Sequence, residues 1–134
     1  MSREAGPAGS LRIEPRWTDL DPVGHVNNNV FLVYAEEARA RYLRRALPSA
    51  WNMIVVVHNS IDYHSPVEES DVVEVTSDVE KVGTSSFATR NVVSTTDGRL
   101  CATVRTVQVV LRTDRTRTRP WTDDERAALE RLIG

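Results

Sequence analysis

RWTDLDPVGHVNNNVFLVYAEEARARY, residues 16–42, is the stretch on which the fold turns. Pro22 pushes Asp21 toward an extended backbone, so a strand should end there with a carboxylate at its tip. Gly24 allows a turn that a residue with a Cβ would resist. Asn27, Asn28 and Asn29 follow, and Asn is a strong N-cap, its side-chain oxygen accepting from a free N–H one turn ahead. A helix is therefore expected to start near Asn27 or Asn28, with Asn27 as its cap. Such a start offers unpaired N–H groups and the positive end of the helix dipole, a site for an anion or a developing oxyanion. Within the eight residues from Asp21 to Asn28 the chain sets a carboxylate beside that helix end. The pairing suits attack on a carbonyl, with Asp21 activating water or attacking directly. The alternative for Asp21 is a turn carboxylate that only bonds nearby backbone N–H groups.

Outward from this stretch the apolar periodicity sets the class. Upstream, Leu11, Ile13, Pro15 and Trp17 alternate with Arg12, Glu14 and Arg16, which predicts a strand over residues 11–17 with Pro15 confining it to an edge or an end. Downstream, Val30, Phe31, Tyr34, Ala35, Ala38, Tyr42 and Ala46 form a stripe at helical spacing. The first half of this helix is apolar almost all round, which implies burial on more than one side, and Pro48 closes it. Glu36 and Arg39 stand three apart and should pair along the helix. From Met53 the period becomes two, with strands expected over residues 54–63, 72–82, 86–94 and 100–112. Gly83-Thr84 and Asp97-Gly98 are the hairpin signals between them. An antiparallel meander after one long apolar helix predicts an α+β architecture, the sheet wrapping the helix. Thr122-Asp123-Asp124-Glu125 is a capping box opening a short helix through Leu132. Arg115, Arg117 and Arg119 alternate, so an extended backbone would point them the same way. They are solvated loop charges or a clamp for phosphate oxygens.

Size and composition narrow the function. A chain of 134 residues fits one domain, residues 1–134, with 1–9 a loose leader and 121–134 the helical tail. The net charge of −2 supplies no basic field for nucleic acid. The apolar runs are too short to span a bilayer, and the first residues lack the apolar core of a signal peptide. Cys101 stands alone, which excludes an internal disulfide and fits a cytoplasmic protein. His58 and His64 lack the companions of a zinc site, so no metal is expected, and no cofactor fingerprint is present.

The chain resembles the hotdog-fold thioesterases of the 4-hydroxybenzoyl-CoA thioesterase type. The resemblance is carried by Arg16-Trp17-x-Asp19-x-Asp21-x-x-Gly24-His25-Val26-Asn27-Asn28, then Phe31, Tyr34, Glu36 and Ala38-Arg39. Asp62-Tyr63-x-x-Pro66, Gly83-x-Ser85-x-Phe87 and the last long strand follow in the expected order, and together they span residues 11–120. The resemblance implies a hotdog fold and an acyl-CoA thioesterase that yields a free acid and coenzyme A. Asp21 would be its catalytic carboxylate, Asp19 structural, the Asn28 backbone N–H the oxyanion donor and His25 a proton shuttle or an orienting group. Gly24, Asn27 and Tyr34 would bind substrate, with Arg115, Arg117 and Arg119 on the phosphates. It also implies a homodimer or homotetramer with sites at the subunit interface. An acyl carrier protein thioesterase and a non-catalytic module binding acyl chains or coenzyme A are the alternatives.

Overall fold

The change of period at Met53 is a structural boundary. Upstream lies one long helix, α1 (Val30–Ala46), preceded by a short strand, β1 (Ser10–Ile13). Downstream run β2 (Ile54–Tyr63), β3 (Val73–Val82), β4 (Ser86–Thr95) and β5 (Leu100–Val110), then the short helix α2 (Asp123–Glu130). These elements are seen in a computed structural model that describes residues 9–133, so the leader, apart from Gly9, lies outside the described residues. The five strands form one antiparallel sheet in the order β1-β3-β4-β5-β2. Asp97-Gly98 makes the β4–β5 turn as expected, with Gly98 at φ 98°, a conformation open to glycine. This is the α+β arrangement of helix against antiparallel sheet that the periodicity implied.

The helix packs on one face of the sheet through two apolar clusters. One gathers Tyr42, Leu43 and Leu47 against Val79, Phe87 and Val110, with Trp121 and Leu129 of the tail closing it. The other joins Phe31, Tyr34 and Ala38 to Val67, Val73, Val75 and Val93. Each large side chain buried here contributes about 1.5–3 kcal/mol. Between the clusters the same sheet face carries Ser77, Thr89, Asn91, Thr106 and Gln108, all buried. Ser77 donates to the Tyr42 hydroxyl at 3.2 Å, and Gln108 to the Thr106 carbonyl at 2.7 Å.

Local chemistry moved several boundaries. The first strand ends at Ile13 rather than at Trp17, and residues Trp17–Asp19 form a 3-10 turn. Pro15 has no N–H for a ladder. The Arg16 N–H bonds Asp19 Oδ2 at 2.9 Å while the Asp19 N–H bonds the Arg16 carbonyl at 2.8 Å, so the chain closes on itself. Helix α1 starts at Val30, later than Asn27 or Asn28. Asn27 is not its cap: Asn29 holds that position with no side-chain cap bond, and Asn27 closes the turn ahead of it, its Oδ1 accepting from the Asn29 N–H at 3.1 Å and its carbonyl from the Val30 N–H at 2.9 Å. Arg39 does not bond Glu36. It turns inward, only 6% exposed, and donates to Thr106 Oγ1 at 3.2 Å. Burial holds its guanidinium below the ordinary arginine value. Helix α2 opens on the expected box, Thr122 Oγ1 accepting from Glu125 N–H, but stops at Glu130. The residues beyond it turn so that the Leu132 carbonyl can accept from Val79 at 3.1 Å.

Candidate active site

The Asp21 loop is a closed turn. The Asp21 N–H bonds the His25 carbonyl at 2.7 Å, the Gly24 N–H bonds the Asp21 carbonyl at 3.0 Å, and Leu20 bridges Val26. Gly24 sits at φ 85°, which explains a glycine there. Asp21 Oδ1 accepts from the Val23 N–H at 3.0 Å and the His25 N–H at 3.1 Å. Oδ2 has no partner among the described residues. One oxygen of Asp21 thus holds the turn, and the other is not engaged by it.

The segment that follows can be accounted for donor by donor. His25 N–H goes to Asp21 Oδ1, Val26 N–H to the Val67 carbonyl at 2.7 Å and Asn27 N–H to the Asp19 carbonyl at 2.8 Å. Asn29 and Val30 both donate to Asn27. From His25 to Val30, Asn28 alone keeps an N–H without an acceptor among the described residues. It is set there by the turn ahead of α1 rather than by the first turn of the helix.

Asp21, His25, Val26 and Asn28 line one cavity of about 290 Å³ with Phe31, Tyr63, His64, Ser65 and Pro66. The far wall belongs to the end of β2, which the Val26–Val67 bond and the His25–Glu68 bridge stitch to the loop. Tyr63 donates to the Asn28 carbonyl at 2.9 Å and meets Phe31 edge-on at 5.6 Å. His64 Nε2 lies 3.1 Å from Thr103 Oγ1, and Ser65 Oγ donates to the Leu100 carbonyl at 2.7 Å. In the sequence Tyr63 and Pro66 stand out only as motif positions, and nothing there assigns His64 or Ser65 to this site. The Asp62-Tyr63-x-x-Pro66 spacing was the available signal, since it ends a strand just before a turn.

Other expected residues stand elsewhere. The His25 ring makes no bond among the described residues, so its orienting contacts are those of its backbone. Gly24 lines a neighbouring depression with Val23, Glu68 and Glu69, and Asn27 is outside the cavity wall. Tyr34 is buried, 2% exposed, and its hydroxyl donates to Asp19 Oδ2 at 2.9 Å, so it holds the loop from beneath. Burial and that bond push the Tyr34 phenol above its ordinary value. Arg117 and Arg119 share a groove with Arg112, whereas Arg115 sits at a turn with φ 60° and leaves the row. Arg119 is also held in a fork by Glu125 at 2.7 and 2.9 Å. Among the described residues no three His, Cys, Asp or Glu side chains are grouped to hold a metal ion.

Asp19 differs from Asp21 in its surroundings. It is 4% exposed and takes bonds from the Arg16 N–H, the Arg16 guanidinium at 3.1 Å and Tyr34. Burial alone would raise its pKa, but those donors outweigh it and hold the carboxyl below its ordinary value. A depressed carboxyl stabilises the fold above its unfolded pKa, and the contribution fades as pH falls through the folded one. Asp19→Asn is expected to cost about 1–3 kcal/mol of stability near neutral pH. The gap in Tm from wild type should narrow as pH drops below about 4. Thermal melts from pH 7 to 3 check this; an unchanging gap would contradict the charged role of Asp19.

A profile of the Thioesterase-like superfamily matches residues 15–129. The chain belongs to that superfamily. A thioesterase of Thermus thermophilus, solved in complex with coenzyme A and Zn, is 34% identical to this thioesterase-like chain, with 97% of this chain and 96% of that one covered and a TM-score of 0.87. A predicted thioesterase of Bacillus stearothermophilus is 26% identical, covers 93% and 96%, and has a TM-score of 0.86. The YsmA protein of Bacillus subtilis (strain 168) is 26% identical over 121 residues, 88% of this chain and 82% of its own length. The fold is the hotdog fold of these thioesterases.

Proposed function

We propose that this superfamily member is an acyl-CoA thioesterase of the 4-hydroxybenzoyl-CoA thioesterase type. The observation that carries the reading is the cavity that the Asp21 carboxylate, with one oxygen unbonded among the described residues, shares with Asn28, whose backbone N–H likewise has no acceptor there. The thioester carbonyl oxygen accepts from the Asn28 N–H, and negative charge built there in the transition state strengthens the bond. Asp21 Oδ2 either takes a proton from a water whose oxygen adds to the carbonyl carbon, or itself adds there to give an Asp21 acyl anhydride that water then hydrolyses to the free acid. The C–S bond then breaks, and the sulfur leaves as the coenzyme A thiolate. The coenzyme A bound by the Thermus thermophilus relative favours that carrier over an acyl carrier protein.

Assembly belongs to the same reading. Strand β2 is an edge of the sheet, ten residues long, with Val55, Val56 and Val57 each at least 40% exposed. An open apolar edge of that length invites pairing. Self-pairing across a two-fold axis would make the chain a homodimer, or a tetramer built from two. Ile54 pairs with Val110, and the arginine segment follows Val110 directly. Within one chain that segment lies roughly 25 Å along β5 from the Tyr63 end, by strand rise. Antiparallel β2 pairing would bring Arg117 and Arg119 of one subunit toward the cavity of the other, as phosphate contacts. Light scattering is expected to give a dimer or tetramer; an active monomer at micromolar concentration would overturn the shared site. The lone cysteine of the sequence, Cys101, fits a reducing compartment, and a cytoplasmic location belongs to the proposal on that ground.

The test is release of free thiol from a panel of aliphatic and aromatic acyl-CoA esters, with the same acyl groups on pantetheine and on acyl carrier protein. Turnover is expected with coenzyme A esters, and saturation by the phosphate-free pantetheine esters only at higher concentration. Thiol release from the carrier-protein esters alone would replace the substrate.

A further inference from the structure

We infer that Tyr63 is a positioning residue that keeps the Asn28 N–H available to the substrate. The inference rests on the reading of Asn28 as oxyanion donor. Three consecutive peptide groups around Asn28 are tied down, and each tie has a different source. The 26–27 peptide is held by its N–H on the Asp19 carbonyl at 2.8 Å. The 27–28 peptide is held through its carbonyl by the Val30 N–H at 2.9 Å, which leaves its own N–H, that of Asn28, free. The 28–29 peptide is held at both ends: its N–H on Asn27 Oδ1 at 3.1 Å and its carbonyl by the Tyr63 hydroxyl at 2.9 Å.

Without Tyr63 the last of these carbonyls loses its only partner among the described residues, and the 28–29 peptide is fixed at one end alone. The neighbouring peptide can then rock, and an oxyanion donor that rocks must be reordered in each turnover, which raises the barrier without weakening ground-state binding. Tyr63 is suited to the part. Its backbone is anchored in the β2 ladder opposite Ala102, its ring meets Phe31 edge-on, and the residue lines the same cavity. It reaches the loop from another element, so the loop cannot shift without breaking a contact to the sheet.

Tyr63→Phe keeps the ring and removes only the hydroxyl. With a coenzyme A ester hydrolysed by the wild type, kcat is expected to fall about tenfold, the scale of one neutral hydrogen bond, while KM stays within about twofold. Melting temperature and oligomeric state should be unchanged. In an Asn28→Pro background, which lacks the donor, adding Tyr63→Phe should change kcat by less than about twofold, because the two act through one group. Asn28→Pro turning over as fast as Asn28→Ala would remove the donor itself. Where Asn28→Pro is impaired, three results would remove Tyr63 alone: full kcat in Tyr63→Phe, a tenfold loss repeated in the Asn28→Pro background, or a loss matched by dissociation or early melting.

Discussion

Asn28→Pro should fold, assemble and bind substrate, yet turn over a coenzyme A ester about a hundredfold to a thousandfold more slowly than wild type, the usual cost of one oxyanion donor. The substitution suits the local backbone. Asn28 is not the first residue of α1; it is the second residue of the turn that the Val30-to-Asn27 bond closes. Proline is favoured at that position of a type I turn, and the N–H it removes has no acceptor among the described residues. The following residue, Asn29, already has φ −71° and ψ −23°, as such a turn requires. Asn28→Ala keeps the N–H and removes only the side chain, so it should lose far less. Initial rates of the two variants, with melting and oligomeric state matched, decide between a backbone role and a side-chain role.

Asp21→Asn should lower kcat by at least about a hundredfold, the range of a lost general base or nucleophile. An amide oxygen can still accept from the Val23 and His25 N–H groups, as Asp21 Oδ1 does, so the turn has the means to survive. What disappears is the charge on the other oxygen. Asp19→Asn is the internal control. Its carboxylate is enclosed by Arg16 and Tyr34 and lines no wall of the cavity, so its loss should register in Tm far more than in kcat. Equal, small effects on turnover at the two aspartates, in folded protein, would leave Asp21 with its turn role only.

Pro22, Gly24 and the three asparagines punctuate the chain after Asp21 and made the loop legible in the sequence, whereas the distinction between the two aspartates rested on the family resemblance. The same punctuation gave the free N–H, although the turn before Val30 displaced the helix start. What could not be read was anything resting on register or on an inward rotamer. Tyr63 meets Asn28 across 35 residues of sequence, through the pairing of β2 with β5. Arg39 and Tyr34 looked like a surface partner for Glu36 and a substrate contact; both instead turn into the interior, to Thr106 and Asp19. The arginine row failed as a row because Arg115 takes a positive φ, which alternation assumes away. The sheet and helix, by contrast, rest on periodicity over long segments, where a single misplaced residue changes a boundary and not the architecture.

The decisive question is whether bound acyl-CoA is cut. Wild-type protein is mixed with a hundredfold excess of a coenzyme A ester, and free thiol and free acid are followed together while binding is read in parallel. Thiol and acid are expected to appear in equal amounts, over many turnovers, from an ester that binds at the Asp21 cavity. An ester that binds there and is recovered intact, across the aliphatic and aromatic panel, would contradict the proposed hydrolysis and make the domain a carrier of acyl groups.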